Sequence, residues 1–482
     1  MPEIGFVGPT YVAASIYHDD QECINWYAEM GMFRNAKGIP ERGVVALLPT
    51  PGLQTQVQLP QVAEVRGLYT ATGGNILYAA VGNALCTVNP AFQANVIGTL
   101  NTSSGPVSII DNGSSVMIAD GVNRYTCALS GAGFSVDASG AFPGGTRIDE
   151  VDNFIVYNNP NTNQWGCTNA GSITSGALNQ SAKDGFSDNL LSIIVNQREV
   201  YLLGEKTTEV WVNVGSFPFP FQRVAGTSSQ HGVAAVFSVA RLGNSFAWLA
   251  KDDRGQYVVV QMNGYTPERI STHAVEAALT GYVNVTDARA FTYQQNGHEF
   301  YMLHCPSADV TWAFDLATGY WHKRAWRDPR NVLHRHRSNC AAAFAGKIVV
   351  GDFQNGKLYT MSLTTFLDDG QPIPCIRRAT HMVGQEIERA FYEDLQLQFA
   401  PGQGLQVGQG SNPMAMLRWS NDGGSTFGRE RWRKMGKVGQ YRNRSRWTQM
   451  GAARDRIYEV TVTDPIFRVL VSANLQVSSG GH

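Results

Sequence analysis

The sequence predicts an all-β protein: an irregular six- or seven-bladed β-propeller followed by a C-terminal antiparallel β domain. Long amphipathic helical patterns are almost absent, whereas short alternating or apolar runs bounded by Gly, Asn and Asp recur throughout. Between residues 66 and 365 these runs fall into units of roughly forty residues, the size of a four-stranded propeller blade. The composition changes after residue 365, which indicates a second domain.

The propeller units share one pattern, in which two apolar strands flank a polar turn. The first unit, GNILYAAVGNALCTVNPAFQANVIGTL, has an apolar strand, a Gly-Asn turn, a second strand and a return. A lone unit cannot bury both faces of its sheet, so the units are expected to stack radially. We recognise six or seven of them, within residues 74–100, 115–129, 154–159, 190–215, 245–264, 298–326 and 341–363.

Charge divides the chain into unequal parts. Residues 371–482 hold 15 Lys and Arg against 9 Asp and Glu, whereas residues 1–370 hold 23 against 30. This change predicts a boundary near DDGQP at 368–372, followed by a C-terminal β-sandwich or ribbon domain. The first 65 residues are proline-punctuated and weakly periodic. We therefore predict an N-terminal arm (1–65) packing on another domain, a propeller (66–370) and a C-terminal domain (371–482).

The bulk composition restricts the class of protein. Net charge is −1 over 482 residues and only 16% of residues are charged, against about 25% in typical soluble domains. Such a chain has an uncharged polar surface, or buries much of its surface against partners. The seven cysteines are scattered without a CxxC pair, which predicts reduced thiols in a protein made in a cytoplasm. Neither a secretory signal nor a membrane-spanning run is recognised, so no membrane insertion is expected.

The stretch SNDGGSTF at 420–427 fits the S-x-D-x-G-x-T-aromatic hairpin motif of sialidase-like propellers and of many non-enzymatic β proteins. Asp422 can bond backbone amides of the turn, Gly424 tolerates a positive φ, and Phe427 packs beneath it. The motif is structural even in sialidases, and here it occurs once, outside the blades. It nevertheless suggests an alternative function, a glycan-binding propeller or glycosidase, which requires an Arg-rich sugar pocket at the propeller centre.

An Arg-rich run follows this motif. Its eight basic residues, accompanied by the single acid Glu430, are Arg429, Arg431, Arg433, Lys434, Lys437, Arg442, Arg444 and Arg446. We predict a β-hairpin turning at 435–440, with three arginines on one face of each strand. Repulsion among six cations is costly unless an anion or partner carboxylates lie opposite. Two interpretations stay open: contact with a phosphate backbone or acidic partner, or a solvated, screened face.

A second basic and aromatic cluster, YWHKRAWRDPRNVLHRHR, spans residues 320–337. Its candidates for an interface or nucleic-acid contact are His322, Lys323, Arg324, Arg327, Arg335 and Arg337. His334 and His336 share one side of a strand, but no acidic ligand pattern accompanies them, so no metal site is predicted.

Signatures of catalysis are not recognised. The sequence contains no GxSxG, P-loop or HExxH string. The carboxylate pairs at 252–253 and 368–369 are interpreted as solvated loop residues rather than acid–base groups. No catalytic residue and no cofactor are predicted.

Several segments resemble one known family. They are ECINWYAE at 22–29, LLPTPGL at 47–53, TEVWVNVGSFPFPFQRVAGTSSQHG at 208–232, CIRRATHMVGQEIERAFYEDLQLQFAPG at 375–402, LRWSNDGGSTFGRERWRKMGKVGQYRNRSRW at 417–447 and DPIFRVLVSANLQV at 464–477. Together they are similar to the packaged-DNA stabilisation proteins of short-tailed bacteriophages, also called tail hub or nozzle proteins. The resemblance covers most of the length in order and is most specific in the C-terminal hundred residues.

The resemblance implies a structural protein of the virion tail, synthesised and assembled in the host bacterial cytoplasm. It implies a homo-oligomer of six chains, a ring below the portal and adaptor that closes the filled head and later conducts DNA outward. The implied partners are the head-to-tail adaptor ring, a tail spike or fibre, a tail needle or plug, and transient double-stranded DNA in the lumen. The family has no catalytic residues to carry over, so the chain is not expected to be an enzyme. For the Arg-rich face we favour pairing between subunits over contact with DNA.

Overall fold

A computed structural model describes residues 5–13, 15–17, 19–34, 40–252, 254–383 and 389–479. Strands dominate this part of the chain. The first five are β1 (Tyr11–Val12), β2 (Asp20–Ile24), β3 (Trp26–Arg34), β4 (Pro40–Pro49) and β5 (Gly52–Gln58). No helix among the described residues is long and apolar enough to span a membrane.

Seven antiparallel sheets follow, each built mainly from consecutive strands. Blades 1 and 2 are β6 (Val65–Thr70), β7 (Leu77–Val81), β8 (Ala84–Val88) and β9 (Ala94–Thr99), then β10 (Ser108–Asp111), β11 (Ser115–Ala119), β12 (Arg124–Ala128) and β13 (Ser135–Asp137). Blades 3 and 4 are β14 (Ile148–Val151), β15 (Phe154–Asn158), β16 (Gln164–Cys167) and β17 (Gln180–Ala182), then β18 (Leu190–Asn196), β19 (Glu199–Gly204), β20 (Thr208–Asn213) and β21 (Phe221–Arg223).

The remaining blades include the helix of the described chain. Blade 5 is β22 (Gly232–Val233), β23 (Ala240–Leu242), β24 (Ser245–Lys251), β25 (Tyr257–Asn263) and β26 (Thr266–Arg269), followed by α1 (His273–Gly281). Blade 6 is β27 (Arg289–Gln295), β28 (His298–Cys305), a 3-10 turn (Pro306–Ala308), β29 (Val310–Asp315) and β30 (Tyr320–Arg327), with β31 (Leu333–Arg335) added to β30. Blade 7 begins with β32 (Ser338–Phe344), β33 (Lys347–Asp352) and β34 (Lys357–Ser362).

Tight turns join the strands within a blade. Only two residues, Asp152 and Asn153, separate β14 from β15, and both have positive φ, 51° and 67°. A two-residue turn of this kind matches the twist of the flanking strands, and Asp and Asn tolerate it better than most residues. The blade pattern read from the sequence therefore has a local structural cause.

The blades close into a ring. The first strands of neighbouring blades lie against one another, including β6 with β10, β10 with β14, β14 with β18, β27 with β32, and β32 with β6. Blade 7 takes its outermost strand from the N-terminal segment, because β5 pairs with β34, with Val57 opposite Leu358. The structure thus confirms the predicted propeller and gives it seven blades.

The C-terminal residues build a two-sheet sandwich, after a short pair of strands, β35 (Leu367–Asp368) and β36 (Gln371–Pro372), that adjoins β5. The sandwich strands are β37 (Cys375–Arg378), β38 (Met382–Val383), β39 (Ala390–Phe399), β40 (Met414–Ser420), β41 (Arg431–Lys434), β42 (Ser445–Thr448), β43 (Ala452–Ala453), β44 (Asp455–Val462) and β45 (Leu470–Ser479). One sheet runs β2-β37-β44-β40-β41 and is continuous with blade 6 through β30. The other runs β3-β4-β45-β39-β42. Trp26, Leu395, Leu417, Trp447 and Val460 belong to the buried core of the sandwich.

The N-terminal segment joins the two domains. Strands β2, β3 and β4 extend the sandwich sheets, β2 also pairs in parallel with β30 of blade 6, and β5 completes blade 7. At the junction the Asn25 amide donates to the carbonyls of Ala325 (2.7 Å) and Pro374 (2.8 Å), so one side chain bonds both domains. The boundaries at residues 65 and 370 stay a prediction.

Candidate interface surface

The Arg-rich segment lies at one end of the sandwich. We call its eight cations the basic edge: Arg429, Arg431, Arg433, Lys434, Lys437, Arg442, Arg444 and Arg446. All eight are exposed. Strand β41 is the last strand of the first sheet and β42 the last strand of the second, so the basic edge follows the rims of both sheets.

The predicted Arg-rich hairpin is wrong. Strand β41 pairs with β40 and strand β42 with β39, so the two strands lie in different sheets and share no ladder. The physical reason is burial in the sandwich core. Ser445 and Trp447 point inward from β42, whereas Arg446 points out, and Trp447 is 0% exposed. The predicted faces of three arginines do not form either, because β41 contains only Arg431 and Arg433 of these arginines and β42 contains only Arg446.

Side chains close the gap between the two rims. The Trp447 indole Nε1 donates to the Arg431 carbonyl at 2.7 Å, and the Arg433 Nε donates to the Arg446 carbonyl at 2.9 Å. The Lys434 carbonyl accepts from Asn443 Nδ2 at 2.7 Å and from Ser445 Oγ at 3.0 Å. These carbonyls are therefore occupied, and together with the charge they hinder strand addition at this edge.

Most of the positive charge on the basic edge is unneutralised. Arg446 Nε pairs with Asp394 Oδ2 at 2.7 Å. Arg431 stacks on the Trp419 ring at 4.6 Å, which orients the guanidinium without neutralising it. Within the described residues no other cation of the basic edge forms an ion pair. A solvated array of this kind attracts an anionic partner.

Exposed apolar side chains adjoin these cations. Trp432 is 52% exposed and Tyr441 70% exposed, both on the Arg-rich segment itself. Val407, 80% exposed, lies on the loop between β39 and β40, and a Cβ on Gly402 of that loop would approach the Tyr441 ring to 2.5 Å, so the two loops pack together. Arg, Trp and Tyr are the residue types most enriched at energetically important interface positions.

The SNDGGSTF turn is held by its own hydrogen bonds. Asp422 accepts hydrogen bonds from Ser420 Oγ at 2.6 Å, from the Thr426 hydroxyl at 2.5 Å and from the Thr426 amide at 2.9 Å. These bonds lower the pKa of Asp422 to about 2. Gly424 has φ +94°, and a Cβ there would approach Asp20 Oδ2 to 2.9 Å. Asp422 thus has bonding partners within the turn itself.

The Phe427 ring lies between two guanidinium groups, those of Arg378 at 5.0 Å and Arg418 at 4.9 Å. Both arginines pair with Glu459, which is 2% exposed. Phe427 therefore covers an ion-pair network on the sandwich surface rather than a purely apolar core.

Most side chains of the second basic cluster are buried, although the sequence predicts that they form an interface. Four candidates are buried, with exposures of 3%, 1%, 6% and 9% for His322, Arg324, Arg335 and Arg337, and only Lys323 and Arg327 are partly exposed. The four buried side chains do not form the exposed surface that an interface or nucleic-acid contact needs. For His322 and Arg324 the physical reason is position, because their strand β30 lies between β29 of blade 6 and β2 of the sandwich sheet.

Two of the buried cations bond side chains that lie outside the cluster. Arg337 pairs with Asp352 at 3.0 Å and stacks on the Trp326 ring at 3.8 Å. Arg324 donates to the Tyr293 hydroxyl at 2.5 Å, and burial lowers the pKa of the neighbouring His322 well below its usual value. Among the residues that the structure describes, no three His, Cys, Asp or Glu side chains converge as metal ligands would.

One carboxylate pair was misread. Asp368 is 2% exposed, not solvated, and its Oδ1 atom has no hydrogen-bond partner. Burial raises its pKa to about 7, opposed by the nearby charges of Arg337 and Arg468. Asp369 pairs with Lys357 at 2.7 Å. In the other pair, residue 253 lies outside the described residues.

Sequence reasoning missed the charged residues on the propeller axis. Arg147, Asp149, Arg241 and Arg289 come from the first part of blades 3, 5 and 6 and line one cavity. A signal was present, because a charged residue on the first strand of a blade interrupts an otherwise apolar pattern. Recognising it required knowing which strand of each unit faces the axis.

Several solved structures have a weak likeness to this chain. They include a computationally designed protein, Ika8 (12% identity, 71% of this chain and 100% of the other, TM-score 0.39). YCF48 from Cyanidioschyzon merolae is 11% identical over 64% of this chain and 98% of its own, with a TM-score of 0.42. The N-terminal domain of Nup159 is 11% identical over 65% of this chain and 97% of its own, with a TM-score of 0.39. Likenesses this weak say nothing about function. No curated protein sequence matches the chain.

Two family models match almost the whole chain. The first, described as bacteriophage P22 Gp10, beta-propeller, matches residues 25–366. The second, bacteriophage P22 Gp10, beta-sandwich, matches residues 375–478. The two descriptions agree with the seven-bladed ring and the two-sheet sandwich. The chain therefore belongs to the P22 Gp10 family of phage tail hub and packaged-DNA stabilisation proteins.

Proposed function

We propose that this phage tail protein is one subunit of a hexameric nozzle, below the portal and adaptor, that retains the packaged genome and conducts DNA during ejection. The observation that carries the proposal is the basic edge, eight exposed cations beside exposed Trp432 and Tyr441 at one end of the sandwich. The role is structural and not catalytic. The proposed partners are the adaptor ring, a tail spike or fibre, a needle or plug, and transient double-stranded DNA, with assembly in the host cytoplasm.

We assign the basic edge to the contact between neighbouring subunits. A channel that conducts DNA gains nothing from tight phosphate contacts, because each neutralised phosphate adds affinity and slows sliding. Exposed Trp432 and Tyr441 favour a protein partner, since aromatic side chains contribute most at the desolvated centre of protein interfaces.

The charge distribution supplies a partner for this surface within a second copy of the chain. Residues 371–482 carry six more basic than acidic residues, and residues 1–370 carry seven more acidic than basic ones. A ring in which the sandwich of one subunit contacts the N-terminal or propeller part of the next brings opposite charges together. Complementary potentials of this kind specify partner and register more than they add affinity.

Replacing Arg442, Arg444 and Arg446 with Ala tests the proposal. We expect the triple variant to keep its fold, measured by circular dichroism, with a lowered melting temperature because Arg446→Ala removes the ion-pair partner of the buried Asp394. We expect its assembly, measured by mass photometry alone and with a purified portal–adaptor complex, to be weaker than that of the wild-type chain. Virions carrying the variant should lose packaged DNA on storage.

The matched control removes the same charge elsewhere, in a variant with Arg198, Arg254 and Arg330 replaced by Ala. All three arginines are exposed and lie outside the sandwich. The control should assemble like the wild-type chain. Normal assembly and full infectivity of the basic-edge variant would show that the basic edge is a solvated face with no partner.

A further inference from the structure

A small polar cavity of about 210 Å³ lies on the propeller axis. The first strands of six of the seven blades line it, together with residues just before them. Its charged and amide-bearing lining includes Arg147, Asp149, Arg241, Arg289 and Asn339. These side chains come from blades 3, 5, 6 and 7, so polar and charged groups from four blades converge on the cavity.

On one side of the cavity, the guanidinium groups of Arg147 and Arg241 lie near one carboxylate, that of Asp149. The Arg241 Nη2 atom donates to both Asp149 oxygens, at 2.9 and 2.8 Å, and the Val195 amide donates to Asp149 Oδ2 at 2.8 Å. Arg147 bonds only the Val239 carbonyl, at 3.2 Å, and its Nε atom is buried without a partner. Asp149 is therefore fully engaged, and the charge of Arg147 is left without a carboxylate of its own.

On the opposite side, the cavity is lined by Arg289 and Asn339. Arg289 pairs with Glu64, which also accepts from Asn339 Nδ2 at 2.8 Å. The Arg289 Nε atom is again buried without a partner. Behind it, Arg335 stacks on Phe353 at 3.9 Å and forms no ion pair among the described residues, and burial lowers its pKa to about 10. Arg241 and Arg289 thus each pair with one carboxylate, whereas Arg147 and Arg335 form no ion pair among the described residues.

Arg66 shows that a buried arginine in this fold can be satisfied by the protein alone. Its side chain, from a residue that is 2% exposed, donates to the carbonyls of Gly82, Thr102, Ser104 and Gly105 and to the Thr102 hydroxyl. Arg147 and Arg289 have no comparable set of acceptors. Buried donors without partners cost free energy unless a ligand or water satisfies them.

We propose that the axial cavity binds one compact oxyanion of the phosphate class, held between Arg147 and Arg289 from opposite sides of the ring. The excess of guanidinium groups excludes a cation, and both carboxylates are already paired. Guanidinium groups match phosphate oxygens in geometry and charge. A sugar acid needs more room, because pockets for organic ligands usually exceed about 300 Å³. The proposal does not depend on the role of the chain in the tail.

Bound phosphate would join blades 3 and 6 and stabilise the folded ring by mass action. The test titrates inorganic phosphate into the purified full chain at constant ionic strength, with chloride as the compensating anion. We expect saturable heat in calorimetry and a rise in melting temperature. Arg147→Gln and Arg289→Gln should each weaken binding by about tenfold or more, the loss of one charge-assisted hydrogen bond. The control Arg198→Gln, at an exposed position 80% accessible, should bind normally.

A second measurement uses the wild-type chain and therefore tests the proposal even if the variants fail to fold. Crystals of the wild-type chain soaked in selenate, a tetrahedral oxyanion with an anomalous signal, should show one peak in the axial cavity. The proposal is overturned by an empty cavity in such crystals, by phosphate binding that both variants retain, or by binding of sialic acid in place of phosphate. The last outcome would favour the glycan-binding alternative.

Discussion

Two stretches of this chain look alike in sequence and differ completely in structure. Residues 320–337 and 429–446 both interleave arginines with aromatic residues. In the first stretch Arg324, Arg335 and Arg337 are buried, whereas in the second all eight cations are exposed. The difference lies in the neighbours: the first stretch begins with a strand between two other strands, and the second includes the outermost strands of two sheets.

Whether an arginine stabilises the fold or is available to another molecule depends on whether it has hydrogen-bond and ion-pair partners within the chain. Asp352 and Tyr293, which bond Arg337 and Arg324, come from other strands of the propeller and not from the cluster itself. Among the described residues, the basic edge forms one ion pair, that of Arg446 with Asp394. A buried pair contributes to the fold, whereas an exposed array without partners is available for another molecule.

The largest expected effect is at Arg337. Arg337→Ala leaves Asp352, whose side chain is 0% exposed, without its cation. Breaking a buried pair from one side costs about 3–5 kcal/mol. Denaturation in urea should show this loss of unfolding free energy, whereas Arg330→Ala, at an exposed position of the same stretch, should unfold like the wild-type chain. Equal stability of the two variants would remove the distinction between the stretches.

A smaller effect concerns pH at Asp368, close to the same buried arginines. Its pKa is about 7 in the folded chain and 3.8 in the unfolded one, so the folded state binds the proton more tightly. The contribution of this group to stability is complete below pH 4 and is lost as pH rises towards 7 and above, by at most about 4 kcal/mol.

Urea unfolding between pH 4 and pH 8 measures this contribution. Asp368→Asn, which cannot ionise, should lose less stability than the wild-type chain over this range. If the two chains show parallel pH profiles, Asp368 is ionised in the folded protein throughout.

The smallest effect on stability is expected at Arg442. This side chain is exposed and has no ion-pair partner among the described residues. Arg442→Ala should change the unfolding free energy by less than about 0.5 kcal/mol. A loss above about 2 kcal/mol in the same urea measurement would show that the basic edge helps to hold the sandwich together.

The sequence was sufficient for the fold class because its signals are local. Alternating strands and Gly- or Asn-containing turns, such as Asp152–Asn153 between β14 and β15, predict blades wherever they occur. It was insufficient where a strand pairs with a distant one. Strand β5 completes a blade with β34 about 300 residues later, and β41 and β42 separate into two sheets because Trp447 is buried between them.

For the candidate site, too, the sequence predicted what depends on local pattern and missed what depends on contacts between distant segments. The eight cations of the basic edge could be named from composition and alternation, and the structure finds them exposed. The burial of His322 and Arg324 could not be predicted from the sequence, because it depends on β2, which is distant in the chain. The axial arginines were missed since their convergence exists only once the ring has closed.

Electron cryo-microscopy of the purified chain, alone and bound to a portal–adaptor complex, tests the central claim most directly. The account predicts a six-fold ring with an opening wide enough for a DNA duplex, in which Arg442, Arg444 and Arg446 lie against acidic residues of the adjacent subunit. A chain that stays monomeric on the adaptor, or a ring whose basic edge faces solvent or lines the lumen, would contradict it.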